Sequence, residues 1–595
     1  MSIYQPAGRL NVAPRPAARR SAAAPERDGG YSRLRVLWLL AVAGGLALLI
    51  WGRLFYWQVQ QHHVLAAKAV SQYTETISLP ATRGQIFDSS MLPLAINVTV
   101  YSVFVSPDQV PATQREHVAV QLSTLLGRPE PEVMTILQSN RKFAYIARRQ
   151  PMEIADQLKR LRLPGVGLLA EEQRSYLPGG TTTSSLASNV LGFVNNNGDG
   201  QYGVEAFYNP QLAGRSGTSS TYRDLLGREI VVGKSSQTDP VNGSDIVLTI
   251  DSSIQHAAEQ AIADGVTQNH AVSGSVLVMD TKTGAIVAWA DYPTFNGNSF
   301  AGTPVENFID PAVSHLYEPG STMKDVTLAG AINNHAITPQ TTINDPGYLK
   351  IGGFTLGDWD RQNRGIVTFT KVLESSLNVG AIKAMQAEGA EAFYRNLVAF
   401  GFNRPSGVDV AAESSIPLKN FSDYRDSEMA TMTYGQGINV NMVQMLAAQN
   451  VIANGGRYAQ PHVVERVGGR PTALATAPQP QLISPDTATQ MTQMMASVVQ
   501  NGSGWKTRIP GFEKQEAGKT GTSQMFIDGK YTLEVWSSYV GFMPTTNPRF
   551  TMLVLIRQPH NDTWEHNDGY YTAAPVWKTI AQNIILDWHI APSAG

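Results

Sequence analysis

An unbroken apolar stretch near the N-terminus most constrains what this chain can fold into. It runs from Val36 to Trp57 and reads VLWLLAVAGGLALLIWGRLFYW. As a helix it would be about 33 Å long, which is enough to cross the hydrocarbon core of a bilayer. Its one charged residue, Arg53, lies near the end that also holds aromatic residues, where a guanidinium reaches the lipid headgroups. The sequence therefore predicts a single transmembrane helix at residues 36–57.

The charges before this stretch indicate its orientation. Two acidic residues, Glu26 and Asp28, are outnumbered by the arginines, which are Arg9, Arg15, Arg19, Arg20, Arg27, Arg33 and Arg35. Because basic residues stay on the cytoplasmic side, the N-terminus is expected in the cytoplasm. Residues 1–35 also lack hydrophobic periodicity, so they are expected to form a disordered cytoplasmic tail. Everything after the helix is then extracytoplasmic or periplasmic, anchored to the cell membrane by one pass.

A cleaved signal peptide is the main alternative to this anchor. The candidate cleavage site, Ala67-Lys68-Ala69, lies well beyond the end of the apolar stretch. Signal peptidase sites normally follow the apolar region closely. The spacing therefore favours an uncleaved anchor.

Length and composition limit the function classes. At 595 residues the chain is expected to hold two or three folded units. Its formal net charge of -2 argues against a nucleic-acid partner. It contains no cysteine, which excludes disulfides, thiol catalysis and cysteine-bound metals.

The region from residue 58 to 240 is predicted to be an elongated, mixed and non-catalytic module. Strand-like stretches (VYSVFVS, FAYIARR and VLGFV) alternate with helical sequence such as REHVAVQLSTLLG and with loops rich in Gly, Ser and Asn. A polar segment then leads into IVLTIDSSIQHAAEQAIADGV, which reads as a strand followed by an amphipathic helix. We therefore place a domain boundary near residue 241.

Residues 241–595 are predicted to form an α/β domain. The segment GSVLVMDTKTGAIVAWA predicts a hairpin that turns at Gly284. Two further strands, in TLEVWSSYVGFMP and FTMLVLIRQP, lie near the C-terminus, and helical sequence fills residues 319–454. A sheet built from both ends of a domain, with a helical block inserted between them, places a cleft where the sheet edge meets the helices.

The segment EPGSTMKDV places a possible nucleophile one helical turn from a possible base. Ser321 and Lys324 would share a helix face, and lysine can deprotonate serine if burial or a neighbouring cation lowers its pKa. Taken alone, the pair could equally be a helix-capping serine and a solvated lysine. A second serine with lysine three residues later, Ser503 and Lys506, lies in GSGWK, where two glycines disfavour a helix. We interpret that second pair as unrelated to catalysis.

Two further sequence motifs strengthen the interpretation of Ser321 and Lys324 as a catalytic pair. Ser376 and Asn378 lie in ESSLNVG, where they supply a second hydroxyl and an amide. AGKTGTS supplies Lys519, two threonines and a glycine that permits close approach of a ligand, just before a predicted strand. A second Lys-Thr-Gly, at residues 282–284, falls in the predicted hairpin turn, and we interpret these residues as forming the turn and not a catalytic motif.

Serine-x-x-lysine, serine-x-asparagine and lysine-threonine-glycine, in this order, characterise penicillin-binding proteins and serine β-lactamases. Over about residues 80 to 580 the sequence resembles class B penicillin-binding proteins, which are membrane-anchored peptidoglycan transpeptidases. The stretches ATRGQIFD, YGVEAFYNPQLAG, YEPGSTMK, YGQGINV and YYTAAPVW carry the resemblance. Ser89-Ser90-Met91 departs from it, because the family usually has Arg-Asn-Gly there, and GGTTTSSLASN is unusually rich in Thr and Ser.

The resemblance implies a fold and an architecture. The fold is a serine β-lactamase-like transpeptidase domain at residues 241–595, with a central antiparallel sheet flanked by helices and a helical subdomain. A pedestal of the dimerisation type, residues 58–240, would hold this domain away from the membrane.

The resemblance also implies roles for the motif residues. Ser321 would attack the carbonyl between the two terminal D-alanines of a donor stem peptide, with Lys324 as base. Ser376 would relay a proton, assisted by Lys519. The backbone N–H groups of Ser321 and Thr522 would form the oxyanion hole. An amine of a neighbouring stem would then resolve the acyl-enzyme.

Substrate binding is assigned by the same resemblance. Asn378 would orient the stem peptide, and Thr520, Gly521 and Thr522 would bind the terminal carboxylate. β-Lactams would acylate Ser321 by mimicking the donor. No cofactor and no metal are implied; the segment HNDTWEH, residues 560–566, has neither spacing of a zinc-protease helix.

Other functions and partners stay open at this stage. A β-lactam hydrolase or D,D-carboxypeptidase would need a deacylating base, and Glu388 and Glu391 are interpreted as solvated helix residues. A β-lactam sensor or inactive scaffold is the third possibility. We expect a septal role in preference to elongation. We also expect the anchor and pedestal to contact a polytopic glycan polymerase of the shape, elongation, division and sporulation family, and other division or elongation membrane proteins.

Overall fold

In the computed structural model of this chain, residues 30–222 and 236–592 are described. Most of the predicted tail, residues 1–29, lies outside the described residues. The chain divides into two compact units: a small N-terminal unit, which also takes in residues 218–238, and a large unit that holds the remainder.

The N-terminal unit is dominated by one long apolar helix. This helix, Gly30–Phe55, continues through a π-helical turn at Tyr56–Gln60 and is followed by the helix His62–Tyr73. Arg33–Gln60 is the one segment of the described chain that is long and apolar enough to cross a membrane, and no residue of its most apolar part is buried by protein. An apolar helix uncovered on all sides fits a single membrane anchor. A three-stranded sheet completes the unit, with the strands Thr74–Leu79, Gly217–Tyr222 and Ser236–Thr238 in spatial order.

The pedestal part of the large unit is built around the long strand Pro93–Val105. This strand pairs antiparallel with Ala144–Gln150 and Val166–Tyr176, so the predicted strands VYSVFVS and FAYIARR are confirmed. The other strands of the sheet are Ile86–Phe87, Ile246–Leu248, Val464–Val467 and Arg470–Pro471. The pedestal helices are Arg115–Leu126, Glu130–Leu137, Met152–Leu161, Ser188–Leu191, Gly203–Phe207 and Asn209–Ala213.

One predicted pedestal strand is confirmed only in its second half. VLGFV was expected to be a strand, but Ser188–Leu191 forms a short helix that ends at Gly192, and only Phe193–Val194 is extended. Val190 and Leu191 are fully buried. A short apolar run buried on all sides carries no periodicity that separates helix from strand, which explains the wrong prediction.

Two of the quoted pedestal stretches meet in a buried ion-pair network. Arg83 of ATRGQIFD lies 2.8 Å from the carboxylate of Glu205 of YGVEAFYNPQLAG, through Nε and Oε2. Arg174 Nε donates to the other oxygen of Glu205, also at 2.8 Å. Glu205 is fully buried. Two guanidinium groups thus satisfy one buried carboxylate and tie together segments that are far apart in the chain.

The C-terminal part of the large unit contains a five-stranded antiparallel sheet. The predicted hairpin is confirmed, with its turn at Gly284, whose φ is +82°. The two predicted C-terminal strands are confirmed as well. In chain order the strands are β1 Ser273–Asp280, β2 Ile286–Tyr292, β3 Ala517–Ile527, β4 Lys530–Met543 and β5 Phe550–Arg557. Their spatial order is β2-β1-β5-β4-β3, so β3 lies at an edge.

Helices cover both faces of this sheet. The main ones are α1 Ser252–Gln268, α2 Met323–Asn333, α3 Asn378–Glu388, α4 Met442–Ala453, α5 Pro485–Asn501 and α6 Ala573–Asp587. The shorter helices are Pro311–Ser314, Phe369–Glu374, Ala390–Ala399 and Asp426–Met432. Helices α1 and α6 form one core with the sheet, and α2, α4 and α5 belong to a larger core on the other side. Every residue of α4 is buried, which explains why it is apolar on all sides.

The predicted helical block between residues 319 and 454 is confirmed. It also carries two small antiparallel hairpins that the sequence did not reveal. Their strands are Thr342–Asp345 with Gly365–Thr368, and Tyr348–Ile351 with Phe354–Gly357.

Candidate active site

Helix α2 begins directly against the edge strand β3. A single 3₁₀ turn, Gly320–Thr322, precedes the helix, and Gly320 has a φ of +59°. A Cβ atom at position 320 would lie 2.8 Å from the carbonyl oxygen of Thr522. Glycine is therefore required both for the left-handed backbone and for the close approach. The approach places the backbone of Ser321 beside that of Thr522.

Lys324 links the two predicted serines. Its Nζ lies 3.0 Å from Oγ of Ser321, 3.1 Å from Oγ of Ser376 and 2.6 Å from the carbonyl oxygen of Ser376. Lys324 is fully buried, whereas Ser321 stays partly exposed. The lysine is therefore not a solvated side chain. Its amine lies between the hydroxyl of Ser321, which a ligand can reach, and the hydroxyl of Ser376.

Burial favours the neutral form of Lys324, which is the form in which an amine can act as a base. Desolvation holds the pKa of Lys324 well below its ordinary value, and the nearby charge of Lys519 lowers this pKa further. The carboxylates of Asp358 and Asp325 act in the opposite direction. A lysine with a depressed pKa is neutral in a larger fraction of molecules near neutral pH. Only the neutral amine can accept a proton from a serine.

Ser376 lies in a strained turn between two helices. Its φ is +55°, the left-handed region that non-glycine residues rarely adopt. Two residues on, the side chain of Asn378 donates to the carbonyl of Gly357 at 2.8 Å, and the carboxylate of Asp358 accepts from the backbone N–H of Asn378 at 2.6 Å. Asp358 thus caps α3. These contacts fix Ser376 and Asn378 on the same side of the cleft.

The lysine-threonine-glycine triad lies inside β3, not before a strand as the sequence suggested. Lys519 is fully buried. Its Nζ donates to the carbonyl oxygen of Thr520 at 2.9 Å and approaches the Thr520 hydroxyl at 3.4 Å, so its hydrogen bonds go to Thr520 and not to Ser376. Burial lowers the pKa of Lys519 to about 8, while the carboxylate of Asp325 raises it.

Gly521 and Thr522 shape the edge of the cleft. A Cβ atom at Gly521 would lie 2.3 Å from Oγ of Ser538 and 3.0 Å from a methyl group of Thr322. Glycine therefore lets β3 pack against both β4 and the start of α2. The hydroxyl of Thr522 accepts a hydrogen bond from the backbone N–H of Gly569 at 3.2 Å. The C-terminal segment that holds Gly569 thus closes one side of the site.

The second serine and lysine pair lies at the edge of this site. Ser503 Oγ is 2.7 Å from Oγ1 of Thr520. Lys506 turns away to the rings of Tyr571 and Tyr570, with its Nζ 3.8 Å and 4.7 Å from the ring centroids. Ser503 therefore lies beside Thr520, which the sequence did not indicate, and Ser503 and Lys506 do not form a second Ser–Lys pair. Local sequence carried no signal for this contact, because the fold brings α5 and its following loop to β3.

A cleft of about 430 Å³ lies near the residues that precede Ser321 in the chain, and Leu316, Tyr317 and Glu318 line it. Glu318 accepts hydrogen bonds from the backbone of Gly437 at 2.8 Å and from the hydroxyl of Tyr531 at 3.0 Å. Sequence reasoning did not single out Glu318. The other residues that line the cleft are Asn439, Gln524, Met525, Phe526 and Trp536.

Two carboxylates considered for a hydrolase have other surroundings. Glu391 is exposed and pairs with Arg395 at 2.8 Å, as expected for a solvated helix residue. Glu388 is not solvated: it accepts from Asn334 and Asn396 at 2.8 and 2.9 Å, and burial raises the pKa of Glu388 to about 7. The expectation for Glu388 was wrong, because α3 turns this residue towards the helices beside it. None of these contacts involves a residue of the three motifs.

The histidines of HNDTWEH face in different directions. His560 lies 3.4 Å from Glu534, and the ring of His566 packs on that of Tyr571 at 4.6 Å. Across residues 30–222 and 236–592, no group of three or more His, Cys, Asp or Glu side chains is arranged to hold a metal ion.

A serine with a buried lysine one turn away, a second serine on that lysine, and a lysine-threonine-glycine edge strand define a class of active-site-serine proteins. The family model for the penicillin-binding protein transpeptidase domain matches residues 274–583, and that for the penicillin-binding protein dimerisation domain matches residues 78–248. The chain belongs to the penicillin-binding proteins, and within them to class B.

Relatives along the full length have consistent names. PbpB, a penicillin-binding protein of Mycolicibacterium smegmatis, is 30% identical over 610 residues, which cover 95% of this chain and 90% of the relative. The peptidoglycan D,D-transpeptidase FtsI of Escherichia coli is 28% identical, with 96% and 95% covered. The stage V sporulation protein D of Bacillus subtilis is 28% identical, with 94% and 86% covered.

Solved structures show the same architecture. A peptidoglycan synthetase from Bifidobacterium adolescentis superposes with a TM-score of 0.70 at 26% identity and covers 88% of this chain and 98% of its own. Penicillin-binding protein 3 from Mycobacterium tuberculosis, in complex with aztreonam, superposes with a TM-score of 0.66 at 25% identity and covers 87% and 98%. The predicted α/β fold, with one N-terminal apolar helix, a dimerisation-type module and a transpeptidase domain, is confirmed.

Proposed function

We propose that this chain is a membrane-anchored serine D,D-transpeptidase that cross-links peptidoglycan stem peptides through an acyl-enzyme. The observation that carries the proposal is the position of Lys324, whose buried Nζ lies within 3.1 Å of the hydroxyls of both Ser321 and Ser376. One amine can then take the proton of the nucleophile and pass a proton through the second hydroxyl.

Acylation follows from this arrangement. Ser321 Oγ attacks the carbonyl carbon between the two terminal D-alanines of the donor stem, and its proton passes to Lys324. The backbone N–H groups of Ser321 and Thr522 stabilise the oxyanion, which is worth about 3 kcal/mol of barrier per donor in comparable sites. The C–N bond then breaks, Ser376 delivers a proton to the leaving nitrogen, and the last D-alanine departs. Lys519 assists electrostatically, as a cation behind the strand.

Transfer to the acceptor reverses these steps. The amine of a neighbouring stem attacks the acyl-enzyme ester, gives up a proton through Ser376 and Lys324, and releases Ser321 as the new amide forms. During acylation Thr520 and Thr522 hold the terminal carboxylate of the donor, which then leaves with the last D-alanine, and Gly521 leaves room for it against β3. Asn378 orients the stem peptide in both steps. β-Lactams enter the same cycle and stop at the acyl-enzyme.

The cellular role and the topology belong to the same proposal. The E. coli relative is named FtsI and the B. subtilis relative is named for sporulation, which supports septal cell-wall synthesis in preference to elongation. The arginine-rich segment before the apolar helix supports a cytoplasmic N-terminus and an extracytoplasmic catalytic domain.

We also propose that residues 58–240 are a non-catalytic pedestal and residues 241–595 the transpeptidase domain, with the anchor at 36–57. The two family matches, at 78–248 and 274–583, support these bounds. Anchor and pedestal together are the surface expected to contact a polytopic glycan polymerase and other division or elongation membrane proteins. Co-purification of such a polymerase that survives deletion of both segments would contradict this assignment.

Intact-mass spectrometry after treatment with penicillin G tests the enzyme proposal. We expect the detergent-solubilised full chain to gain the mass of one penicillin on the peptide that contains Ser321, and Ser321→Ala to gain none while melting at the wild-type temperature. Absence of an adduct on the wild-type chain would refute the proposal. The lifetime of the adduct separates the alternatives, because a β-lactam hydrolase would lose it within seconds to minutes and a transpeptidase retains it.

A further inference from the structure

Asp325, the residue after Lys324, is a buried carboxylate that the proposed mechanism does not use. It is fully buried, and among the residues that the structure describes neither Oδ1 nor Oδ2 has a hydrogen-bond partner. Burial of an unpaired carboxylate is strongly unfavourable unless a nearby charge compensates it. An aspartate in this position therefore calls for a physical reason.

The helix places Asp325 beside the reacting groups. Ser321, Lys324 and Asp325 occupy positions i, i+3 and i+4 and so share one side of the start of α2. Lys519 of β3 is also fully buried and lies close enough for its charge to act on both Lys324 and Asp325. Burial raises the pKa of Asp325 to about 7, whereas the charges of Lys519 and Lys324 lower it, so Asp325 is a carboxylate in the alkaline range. It interacts favourably with both lysines through space, although it forms no direct ion pair with either within the described part of the chain.

The other groups around this cluster come from four elements. Gln449 of α4 neighbours Asp325; its Nε2 donates to the carbonyl of Thr322 at 2.9 Å, and its buried Oε1 has no partner. Tyr539 of β4 is buried and its hydroxyl lies 3.2 Å from that of Thr507. The remaining charges are Asp568, which acts on Lys519 from the C-terminal segment, and Asp358, which acts on Lys324 from the helical block.

The two lysines cannot both be charged if Lys324 is the base. The competent state has Lys324 neutral and Lys519 protonated, since the ammonium of Lys519 keeps the proton off Lys324. A lone buried ammonium would tend to lose its own proton. A carboxylate in the same buried cluster brings the net charge of the three groups to zero in the competent state.

We propose that Asp325 is the buried counter-charge of Lys519, a positioning residue that keeps Lys519 protonated and so sets the alkaline limit of acylation at Ser321. The inference rests on the proposed function, because it concerns the same acylation. Burial lowers the pKa of Lys519 even with the carboxylate present, and Asp325 opposes this shift more strongly than Asp568 does. Removal of the carboxylate charge therefore lowers the pKa of Lys519, and the lysine discharges at a lower pH.

The test is the pH profile of acylation. The second-order rate constant for labelling of the full chain by a fluorescent penicillin is measured from pH 5.5 to 10 for wild type, Asp325→Asn and Asp325→Glu. We expect the alkaline limb of Asp325→Asn to move to lower pH by about one unit or more, the size of shift that a neighbouring charge produces. Asp325→Glu, which keeps the charge, is expected to keep the wild-type alkaline limb.

Asp291→Asn is the matched control, since Asp291 is also buried and has one unpartnered carboxylate oxygen but lies on β2. Its profile should coincide with that of wild type. If Asp325→Asn does not reach the wild-type melting temperature, Asp325→Ser gives the same readout with a smaller neutral side chain.

An unmoved alkaline limb in the folded neutral variants would overturn the inference. That failure is distinct from failure of the proposed function, because the wild-type chain would still be acylated at Ser321. A wild-type chain that takes up no penicillin at any pH would instead overturn the function itself.

Discussion

The Nζ of Lys324 lies 3.1 Å from the hydroxyl of Ser376, although 52 residues separate the two in sequence. The same nitrogen donates to the carbonyl of Ser376 at 2.6 Å, in a turn whose φ of +55° is unfavourable for serine. The proposed base therefore also holds Ser376, the proposed relay residue, in place. Loss of this lysine should remove both the proton acceptor and the anchor of a strained turn.

Lys324→Met is expected to lower the rate of acylation of Ser321 by about 10²- to 10⁴-fold, the contribution typical of a positioned general base. Fluorescent-penicillin labelling, followed over time at pH 7.5, measures this rate. Lys282→Met is the matched control, because Lys282 belongs to the other Lys-Thr-Gly sequence and is exposed in the hairpin turn. A rate for Lys324→Met within about tenfold of wild type would show that another group serves as the base.

Ser503→Ala should weaken binding and leave the chemical step nearly intact. The Ser503 hydroxyl lies 2.7 Å from that of Thr520, which we assign to the substrate carboxylate. Loss of one hydrogen bond of about 1 kcal/mol should raise the concentration of penicillin needed for half-maximal acylation about fivefold. The limiting acylation rate should change less than twofold. Saturation kinetics separate the two constants, and the exposed Ser422→Ala serves as control; a fall confined to the limiting rate would contradict the assignment.

The sequence allowed prediction of those parts of the fold that have a local signature. The two continuous apolar runs of β1 and β2 and the turn that ends at Gly284 between them indicate a hairpin without any distant contact. The prediction of a strand throughout VLGFV was incomplete because Val190 and Leu191 are fully buried. A fully buried apolar run has the same sequence pattern in a helix as in a strand. The two small hairpins of the helical block also escaped notice, since they are short and partly exposed.

For the site, the order of three short patterns pointed to Ser321 and Ser376, whose hydroxyls both lie on Lys324 in the structure. It also pointed to Lys519, whose charge lowers the pKa of Lys324. Ser503 and Asp325 could not be placed in this way. Ser503 meets Thr520 only because a loop after α5 returns to β3, and a buried aspartate beside a lysine looks, in sequence, like a solvated pair on a helix surface. Both depend on tertiary contacts that no local pattern encodes.

Met91→Gly is expected to stabilise the protein by about 0.5–1 kcal/mol. Met91 has a φ of +70° in an exposed turn, where the carboxylate of Asp88 accepts from the backbone of Ser90 and Leu92 at 2.8 Å each. Glycine adopts this conformation without the steric penalty of an L side chain, although it loses more backbone entropy on folding. Thermal unfolding should show a higher midpoint for Met91→Gly and a lower one for Leu92→Gly, which lies next to it without a positive φ. Equal decreases in both variants would mean that the side chain of Met91 matters more than its backbone.

Glu516 should make stability depend on pH between weakly acidic and weakly alkaline conditions. It is 1% exposed, its Oε1 accepts from the backbone of Ile509 at 2.6 Å, and its Oε2 has no partner within residues 30–222 and 236–592. Burial raises the pKa of Glu516 from 4.5 to about 8 in the folded state. Between pH 4.5 and about pH 8, Glu516 therefore keeps a proton in the folded state that it has released in the unfolded state. The contribution of Glu516 to stability is fully present below the unfolded pKa and is lost as the pH rises through the folded pKa, by about 1.4 kcal/mol per pH unit.

Glu516→Gln removes this titration while keeping an acceptor for the N–H of Ile509. We expect the midpoint of thermal unfolding to fall less between pH 6 and pH 8 in this variant than in wild type, so that the variant gains relative stability at the higher pH. Glu513→Gln, three residues earlier and exposed, should reproduce the wild-type slope. If Glu516→Gln and wild type lose stability in parallel over this range, Glu516 is ionised in the folded protein at pH 6, and some group other than those named here must compensate its charge.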